Sequence, residues 1–241
     1  MTHIPKTPKQ VTPKPVIPKQ VAPKQAAPHS KATSAKVKTS PSSQFIPLNE
    51  THLETVLGWR NLPNIRENMH STDEISWQQH LSWFESLKNN AGKQFFVFMQ
   101  NERPIGVLNF TSMGAIENNP ELTTPCIEWG CYIGEDNVWP GSGLLLEIAA
   151  LDYALINKNA ATLYAEVLSS NQSVLKMHKL FQYEALEDRI DEKPKKKDGT
   201  TVTVKRFLYQ QKQWLTKREK VLSMLPKQIG AAAQHIHFAK S

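Results

Sequence analysis

A glycine turn in the second half of the chain has a spacing that could bind an anion. The run V-W-P-G-S-G-L-L-L-E-I-A-A-L places Gly141 and Gly143 at the start of an apolar stretch that predicts a helix to Ile156. The first turn of a helix leaves backbone N–H groups without partners, and the helix dipole favours negative charge there. We therefore expect a phosphate to bind above Gly141. A lone G-x-G pattern has little specificity, so its surroundings must decide what carries the phosphate.

The segments around this turn predict a βαβ-type unit. The strand C-I-E-W-G-C-Y-I-G precedes the turn, a β-rich run over Thr162–Val167 follows the helix, and Asn171 precedes a second helix over Ser173–Phe181. Side chains alternate between the faces of a strand, so Glu128 and Tyr132 share one face with the position of Gly130. The other face of that strand holds Ile127, Trp129, Cys131 and Ile133.

The rest of the pattern extends this unit into one α/β (α+β) domain over residues 45–211. A strand over Gln44–Leu48 and a capped helix to Arg60 begin it, and F-F-V-F-M and I-G-V-L-N-F-T form a hairpin. Two strands, at Tyr183–Ile190 and Thr201–Tyr209, end the domain. With a helix over Ser76–Asn89, the predicted order is β-α-α-β-β-β-α-β-α-β-β.

A second cluster of polar side chains lies in the N-terminal half. The segment W-R-N-L-P-N-I-R-E-N-M-H holds two arginines, Met69 and His70 around Pro63, and the following helix places His80 beside its apolar stripe. Pro63 forces a break in the chain, and such a cluster usually faces a groove.

Charge and composition separate two tails from this domain. Residues 1–44 hold eight of the sixteen prolines, eight lysines and no acidic residue, which predicts a disordered segment. Residues 212–241 carry six basic side chains and one acidic one, and form a basic, partly helical extension. Because the tails carry more positive charge than the net +7 of the chain, the domain is acidic, which argues against specific nucleic-acid binding. The tails either bind an acidic or anionic partner or simply increase solubility.

The sequence has none of the marks of export or of metal binding. No run approaches the roughly 20 apolar residues of a membrane span, and the N-terminus lacks the apolar region of a signal peptide, so we expect a cytoplasmic protein. Cys126 and Cys131 point to opposite faces of one strand and cannot pair with each other. Their spacing matches no zinc pattern, so no metal is expected.

The element order and the glycine turn resemble the GNAT superfamily of N-acetyltransferases. The acyl-CoA loop of that family reads R/Q-x-x-G-x-G/A at the start of its third helix, and Gly141 and Gly143 supply the glycines, while Val138 takes the place of the Arg or Gln. The runs E-V-L-S-S-N-Q-S and M-H-K-L-F-Q-Y resemble the family's fifth strand and fourth helix. The resemblance covers residues 45–211 and implies the GNAT fold, with a mixed, mostly antiparallel central sheet and acetyl-CoA as co-substrate.

The family's architecture implies a place for each part of acetyl-CoA. The strands on either side of the glycine turn splay apart, and the pantetheine arm lies between them. Backbone N–H groups near Tyr132 and Ile133 would hold the thioester carbonyl, and Asn171 would bond the pantetheine or its nearby backbone. The phosphates would lie on the turn formed by Gly141, Ser142, Gly143 and Leu144, although Pro140 removes one N–H from this turn.

The resemblance also implies the groups that move protons. His178 stands near the position of a family tyrosine beside the thioester sulfur, so it is the leading candidate for the acid that protonates the leaving thiolate. Glu128 is the candidate base that deprotonates the amine, directly or through water. The structural alternatives are a His178 that forms the pocket wall and a Glu128 that is an exposed strand residue.

The cluster of polar side chains in the N-terminal half makes the resemblance more specific. W-R-N-L-P-N-I-R-E-N-M and H-L-S-W-F-E-S-L are similar to the acetyltransferases of pseudaminic-acid biosynthesis, which acetylate a UDP-linked amino-deoxy sugar used to modify flagellin. This similarity implies a nucleotide-sugar substrate whose diphosphate pairs with Arg60. The other implied substrate contacts are Met69, His70, His80, Thr111 and Glu166.

Two other functions remain open at this point. The same fold supports acetylation of a protein N-terminus or of another small amine. In a different class, a non-catalytic member would bind acyl-CoA as a sensor while its basic tails recruit a partner. Whether the chain forms a homo-oligomer is also left open by the sequence.

Overall fold

A computed structural model describes residues 40–114, 123–191 and 202–240 of the chain. The strands found in these ranges are β1 (Ser43–Pro47), β2 (Lys93–Gln100), β3 (Arg103–Met113), β4 (Cys126–Ile133), β5 (Thr162–Leu168), β6 (Glu184–Ala185), β7 (Arg189–Asp191), β8 (Val202–Gln210) and β9 (Ile236–Phe238). The α-helices are α1 (Leu53–Arg60), α2 (Pro63–Arg66), α3 (Trp77–Lys88), α4 (Ser142–Leu151), α5 (Gln172–Phe181), α6 (Gln211–Met224) and α7 (Lys227–Ala233).

Side-chain caps fix the starts of three helical segments. Asn49 accepts a hydrogen bond from the backbone N–H of Thr51 and begins the 3₁₀ turn that leads into α1. Ser76 and Gln79 form a capping box at the start of α3, and Asn171 caps α5. Pro63 lies in the first turn of α2, where a proline costs no hydrogen bond, so the break predicted there is the start of a further short helix.

The sheet is mixed and mostly antiparallel, as the sequence predicts. Its strands lie in the order β6-β8-β5-β4-β3-β2-β1-β9, and β7 also pairs with β8. Only the β4–β5 and β1–β9 pairs among these are parallel. The β2–β3 turn places Asn101 and Glu102 at φ 48° and 64°, the left-handed geometry that matches the twist of a tight hairpin.

The central parallel pair holds together over only part of its length. Cys126 to Glu128 of β4 pair with Thr162 to Tyr164 of β5, and the two strands then separate. On their outer edges β4 stays paired with β3 and β5 with β8 along their whole lengths. The sheet therefore opens between β4 and β5, and backbone groups of residues 129–133 and 165–168 face the gap.

The two faces of the sheet pack against different helices. Helices α4, α5, α6 and α7 cover the face that carries Trp129, Cys131 and Ile133, which we call the Cys131 face. Val56, Trp59 and Ile65 of α1 and α2 cover the opposite face, where Tyr132 lies, and which we call the Glu128 face. The predicted alternation along β4 is therefore confirmed.

Several boundaries differ from the prediction. The helix expected to run to Ile156 is α-helical only to Leu151 and continues as a π-helical stretch, Asp152–Asn157. The strand expected over Tyr183–Ile190 is two short strands, β6 and β7, which both pair with β8. Residues 192–201, between β7 and β8, lie outside the described residues.

The chain ends contribute more to the sheet than the charge pattern suggests. Strand β1 begins at Ser43, inside the segment predicted as a tail, whereas residues 1–39 lie outside the described part. At the other end, β9 pairs with β1, and buried side chains of α6 and α7 join the main core. The C-terminal extension thus packs on the domain. Among the described residues, no helix combines the length and the apolarity that crossing a membrane requires.

Candidate active site

A cavity of about 680 Å³ occupies the gap between β4 and β5. Side chains of α1, α2 and α3 line it from the Glu128 face, and side chains of α4 and α5 line it from the Cys131 face. Its volume lies in the range of small-molecule sites. Because the cavity crosses the sheet through the gap, ligands on opposite faces can meet inside it.

A row of polar side chains crosses the sheet on the Glu128 face. The register sets Lys93 of β2 opposite Thr111 of β3, Thr111 opposite Glu128, and Glu128 opposite Tyr164 of β5. Glu166, two residues further along β5, points to the same side as Tyr164. Thr111, Glu128 and Glu166 all line the cavity.

The two carboxylates of this row differ in their surroundings. Glu166 accepts hydrogen bonds from the Tyr164 hydroxyl at 2.8 Å and from the Arg189 guanidinium at 2.7 Å, and His70 Nε2 lies 3.5 Å from it. Burial raises the pKa of Glu128, and the negative charge of Glu166 raises it further. A carboxylate with a raised pKa is a better proton acceptor near neutral pH.

Arg60 brings positive charge to the outer part of the cavity. Its Nη2 donates to the backbone oxygen of Ser71 at 3.1 Å, while its Nη1 is buried with no partner among the described residues. Burial lowers the pKa of Arg60, and the nearby charge of Arg66 lowers it further, but a guanidinium stays protonated at neutral pH. The free Nη1 is a hydrogen-bond donor for an anion in the cavity.

Two aromatic rings and Met69 complete this wall. His80 is buried, with its ring centroid 5.0 Å from that of Trp83 in a stacked arrangement, and burial lowers its pKa. Both residues line the cavity, together with Met69 and His70. A neutral, stacked His80 suits contact with a ring or a polar group and does not suit the binding of an anion.

On the Cys131 face, His178 lies at the inner end of the cavity and is 1% exposed. Its ring stacks on Tyr183 at a centroid distance of 4.3 Å, and neither of its nitrogens has a hydrogen-bond partner in the described residues. Burial lowers the pKa of His178 to about 4. The imidazole is therefore neutral at pH 7, so it can give up a proton only from its single N–H group. His178 would therefore act as the predicted acid in its neutral form.

Glu147 is a second titratable group at this end, and sequence reasoning missed it. It lies on α4 with a 2% exposed side chain, and its Oε1 is 3.6 Å from His178 Nε2. Burial raises the pKa of Glu147 to about 8. The signal was present in the sequence, since one acid interrupts the apolar run L-L-L-E-I-A-A-L of a buried helix.

The glycine turn is held from behind by the C-terminal extension. Gly141 has φ +119°, and a Cβ at this position would lie 2.2 Å from Cδ1 of Ile229 on α7 and 2.8 Å from Trp139. Only a glycine fits here, both for its backbone angle and for this contact. No side chain caps α4. The N–H groups of Ser142 and Leu145 donate to backbone oxygens, which leaves those of Gly143 and Leu144 for an anion.

The turn residues do not all contribute to the cavity, although all four were predicted to bind acetyl-CoA. Gly143 lines the cavity, whereas Gly141, Ser142 and Leu144 are not among its lining residues. Ser142 is 1% exposed, its hydroxyl lies within hydrogen-bond distance of Gln100 and of the Trp139 backbone oxygen, and its N–H also donates to that oxygen. Both of its donors are used inside the protein, so Ser142 supports the turn.

The remaining predicted acetyl-CoA contacts lie along the gap. Tyr132, Ile133 and Asn171 line the cavity. The Asn171 side-chain oxygen accepts the N–H of Val174 to cap α5, so its NH₂ group is the part that can meet a ligand. In an antiparallel pair every second residue turns its backbone groups away from the partner strand, so part of β4 beyond Glu128 offers them to the gap.

These features fit an acyl-CoA. The first turn of α4 offers uncapped N–H groups to phosphates, and the separated edges of β4 and β5 offer donors and acceptors to an amide-containing arm. Trp129 Nε1 and both nitrogens of His178 are buried and unpartnered at the inner end. The described ranges hold no group of three or more His, Cys, Asp or Glu side chains that could bind a metal ion.

The sequence and the structure are similar to those of known acetyltransferases. Residues 44–180 match the acetyltransferase (GNAT) domain. Two proteins of Campylobacter jejuni named acetyltransferase PseH are 31% and 29% identical to this chain over 134 residues, which is 56% of this chain and 78% of each of them.

Solved structures show the same fold. The crystal structure of N-acetyltransferase PseH from Campylobacter jejuni has a TM-score of 0.50 at 21% identity, covering 71% of this chain and 99% of that one. Spermidine N-acetyltransferase from Vibrio cholerae, in complex with CoA and spermine, has a TM-score of 0.62 at 17% identity, covering 72% and 98%. Since the domain match spans more than half of the residues, the chain belongs to the GNAT acetyltransferase family and is an acetyl-CoA-dependent N-acetyltransferase related to PseH.

Proposed function

We propose that this enzyme acetylates the amino group of a UDP-linked amino-deoxy sugar, the type of substrate used in pseudaminic-acid biosynthesis. The observation that carries the proposal is the cavity itself, which joins a cationic, ring-lined wall on the Glu128 face to the acyl-CoA gap. The similarity to PseH over 134 residues supports it, and the GNAT domain match over residues 44–180 includes the segment that forms this wall.

Arg60 and its neighbours suit the nucleotide part of such a substrate. The unpartnered Nη1 of Arg60 would donate to the diphosphate, and the charge of Arg66 adds to the positive potential there. The stacked pair of His80 and Trp83 forms a flat surface for a sugar or base ring. Thr111 and Glu166 would hydrogen-bond the hydroxyl groups of the amino sugar.

Glu128 would accept the proton of the attacking amine. An amine must lose its proton to become a nucleophile, and a base within hydrogen-bond reach contributes roughly 10²- to 10⁴-fold to such a step. The raised pKa of Glu128 brings its basicity closer to that of the amine. Glu128 is the last residue of β4 that pairs with β5, so it lies where the gap between these strands begins, on the side from which the acceptor would enter.

Bound acetyl-CoA would supply an activated acyl group as a thioester. Gly143 and the first turn of α4 would hold its phosphates, Asn171 its pantetheine arm, and backbone N–H groups near Tyr132 and Ile133 the thioester carbonyl. Donors aimed at that oxygen stabilise the negative charge that develops when the amine attacks. His178 would give its N–H proton to the sulfur as the C–S bond breaks.

A small polyamine is the second candidate acceptor. Glu128 and Glu166 both line the cavity, and two carboxylates attract a cationic amine more strongly than they attract a nucleotide. A spermidine N-acetyltransferase also shares this fold. Arg60 favours the nucleotide sugar over the polyamine, because a cation at the entrance repels a polyamine and attracts a diphosphate.

A comparison of acceptors tests the proposal. We expect kcat/KM for the UDP-amino sugar to exceed kcat/KM for spermidine or for a peptide by about tenfold or more. The loss of a single charged contact to the acceptor is enough for a difference of this size. Arg60→Lys should raise KM for the UDP-amino sugar about tenfold and leave kcat nearly unchanged, because a lysine cannot reproduce the planar group that donates to Ser71 and to the diphosphate together. Arg103→Lys, at a residue that does not line the cavity, is the matched control. Equal or better turnover of the polyamine or the peptide would refute the sugar assignment.

A further inference from the structure

Glu147 is an acid placed where the fold has no need for one. It lies in the middle of α4, between Leu146 and Ile148, and is buried at 2% exposure while lining the inner end of the cavity. Its Oε1 has no hydrogen-bond partner among the described residues. A leucine here would continue the apolar run of the helix without any electrostatic cost, so a structural role alone does not account for the carboxyl group.

The groups that face Glu147 from the neighbouring elements are all uncharged at neutral pH. His178 of α5 lies 3.6 Å from it, and the Tyr183 hydroxyl faces it without reaching hydrogen-bond geometry. Cys131 of β4, on the same face of the sheet, is close enough for the charge of Glu147 to raise the pKa of its thiol. Tyr209 of β8 lies behind Tyr183, with ring centroids 5.0 Å apart. No cation in the described residues compensates a charge at this position, so the carboxyl group keeps its proton up to a pKa of about 8.

We infer that Glu147 is a positioning residue that acts through His178, holding the imidazole in place and returning to it the proton that the leaving thiolate takes. The inference rests on the proposed acetyl transfer. As the C–S bond breaks, the imidazole N–H proton moves to sulfur and forms a thiol. The Glu147 O–H proton moves to the other imidazole nitrogen, so the ring stays neutral. When the products leave, the proton on that second nitrogen returns to Glu147 and the first nitrogen takes a proton from water, which restores the starting state.

The geometry supports this path. A buried imidazole with a pKa of about 4 is neutral at pH 7. It can therefore donate its N–H proton only if a second proton is transferred to its other nitrogen. The 3.6 Å between Nε2 and Oε1 is slightly longer than a hydrogen bond, and such catalytic contacts commonly tighten when substrate binds. The pair also shares the cavity lining with Trp129 and Met177, which exclude water.

A double-mutant cycle tests the coupling. We expect Glu147→Gln to lower kcat about tenfold or more, with KM for acetyl-CoA changed less than about twofold, and His178→Ala to lower kcat by about 10²-fold. Because Glu147 acts only through His178, adding Glu147→Gln to His178→Ala should lower kcat no further. Glu184→Gln, an exposed acid on β6, is the control. An unchanged kcat in Glu147→Gln, or additive losses in the double variant, would overturn the inference.

Two measurements stay informative if the acceptor has been assigned wrongly. The cycle can be run with whichever amine the enzyme acetylates, so failure of the sugar assignment and failure of the pair are separate results. Infrared difference spectra of the ligand-free protein at pH 7 should show the band of a protonated carboxylic acid that Glu147→Gln removes. If Glu147→Gln does not fold, Glu147→Leu serves instead. Absence of that band would show an ionised Glu147 and refute the inference.

Discussion

The two faces of the sheet meet in one cavity with opposite electrostatics. On the Glu128 face the charged groups reach solvent, and Glu166 is bonded to Tyr164 and Arg189. On the Cys131 face Glu147 and His178 are almost fully buried and have no hydrogen-bond partners for the atoms that face each other. One side therefore carries charge and the other keeps titratable groups neutral.

This difference suits the two faces of the sheet to different functions. Partnered charges at an open surface recognise a charged substrate and cost little free energy to maintain. Unpartnered groups in a dry site cost free energy to bury, and they change their protonation state readily when a reacting group approaches. The gap between β4 and β5 is the place where a recognised amine can meet the proton-handling pair.

The largest effect should come from removing the base on the Glu128 face. Glu128→Gln keeps the shape and hydrogen bonding of the side chain but cannot accept the amine proton, so we expect kcat to fall about 10²-fold, measured by steady-state kinetics at neutral pH. The loss should shrink as pH rises, because more of the amine is then already neutral. Glu54→Gln on the exposed side of α1 is the control. A variant with full activity would leave Glu128 as an ordinary strand residue and remove the contrast between the faces.

A smaller effect should appear in stability on the Cys131 face. The folded pKa of Glu147, about 8, lies above the unfolded value of about 4.5, so the folded state binds more protons between these values and stability falls as pH rises. Glu147→Gln removes this penalty. We expect the variant to gain on the order of 3 kcal/mol in free energy of unfolding relative to the wild type between pH 5 and pH 8, measured by denaturant titration. A difference that stays constant over this range would mean that Glu147 is ionised in the fold.

Much of the Glu128 face follows from sequence. Alternation along C-I-E-W-G-C-Y-I-G assigns Glu128 and Tyr132 to one side, and the cap residue Ser76 locates α3 to within one or two residues. These features depend on local periodicity and local hydrogen bonds, which a sequence displays directly. The mixed sheet follows from the family resemblance.

The Cys131 face could not be predicted in the same way. Burial lowers the pKa of His178, and the side chains around it, Tyr183, Phe207 and Glu147, approach from three other segments, so the local sequence does not show that this ring is neutral. The support of Gly141 by Ile229 joins residues far apart in the chain. Such contacts depend on tertiary packing, and no local sequence pattern indicates them.

A crystal structure with CoA and the UDP-amino sugar tests the central claim most directly. We predict that the CoA phosphates lie at the first turn of α4 near Gly143 and that the thiol sulfur lies beside His178. We also predict that the amino group of the sugar lies within hydrogen-bond reach of Glu128, with the diphosphate on Arg60. A complex in which the sulfur lies away from His178, or in which the amino group never reaches the gap between β4 and β5, would contradict it.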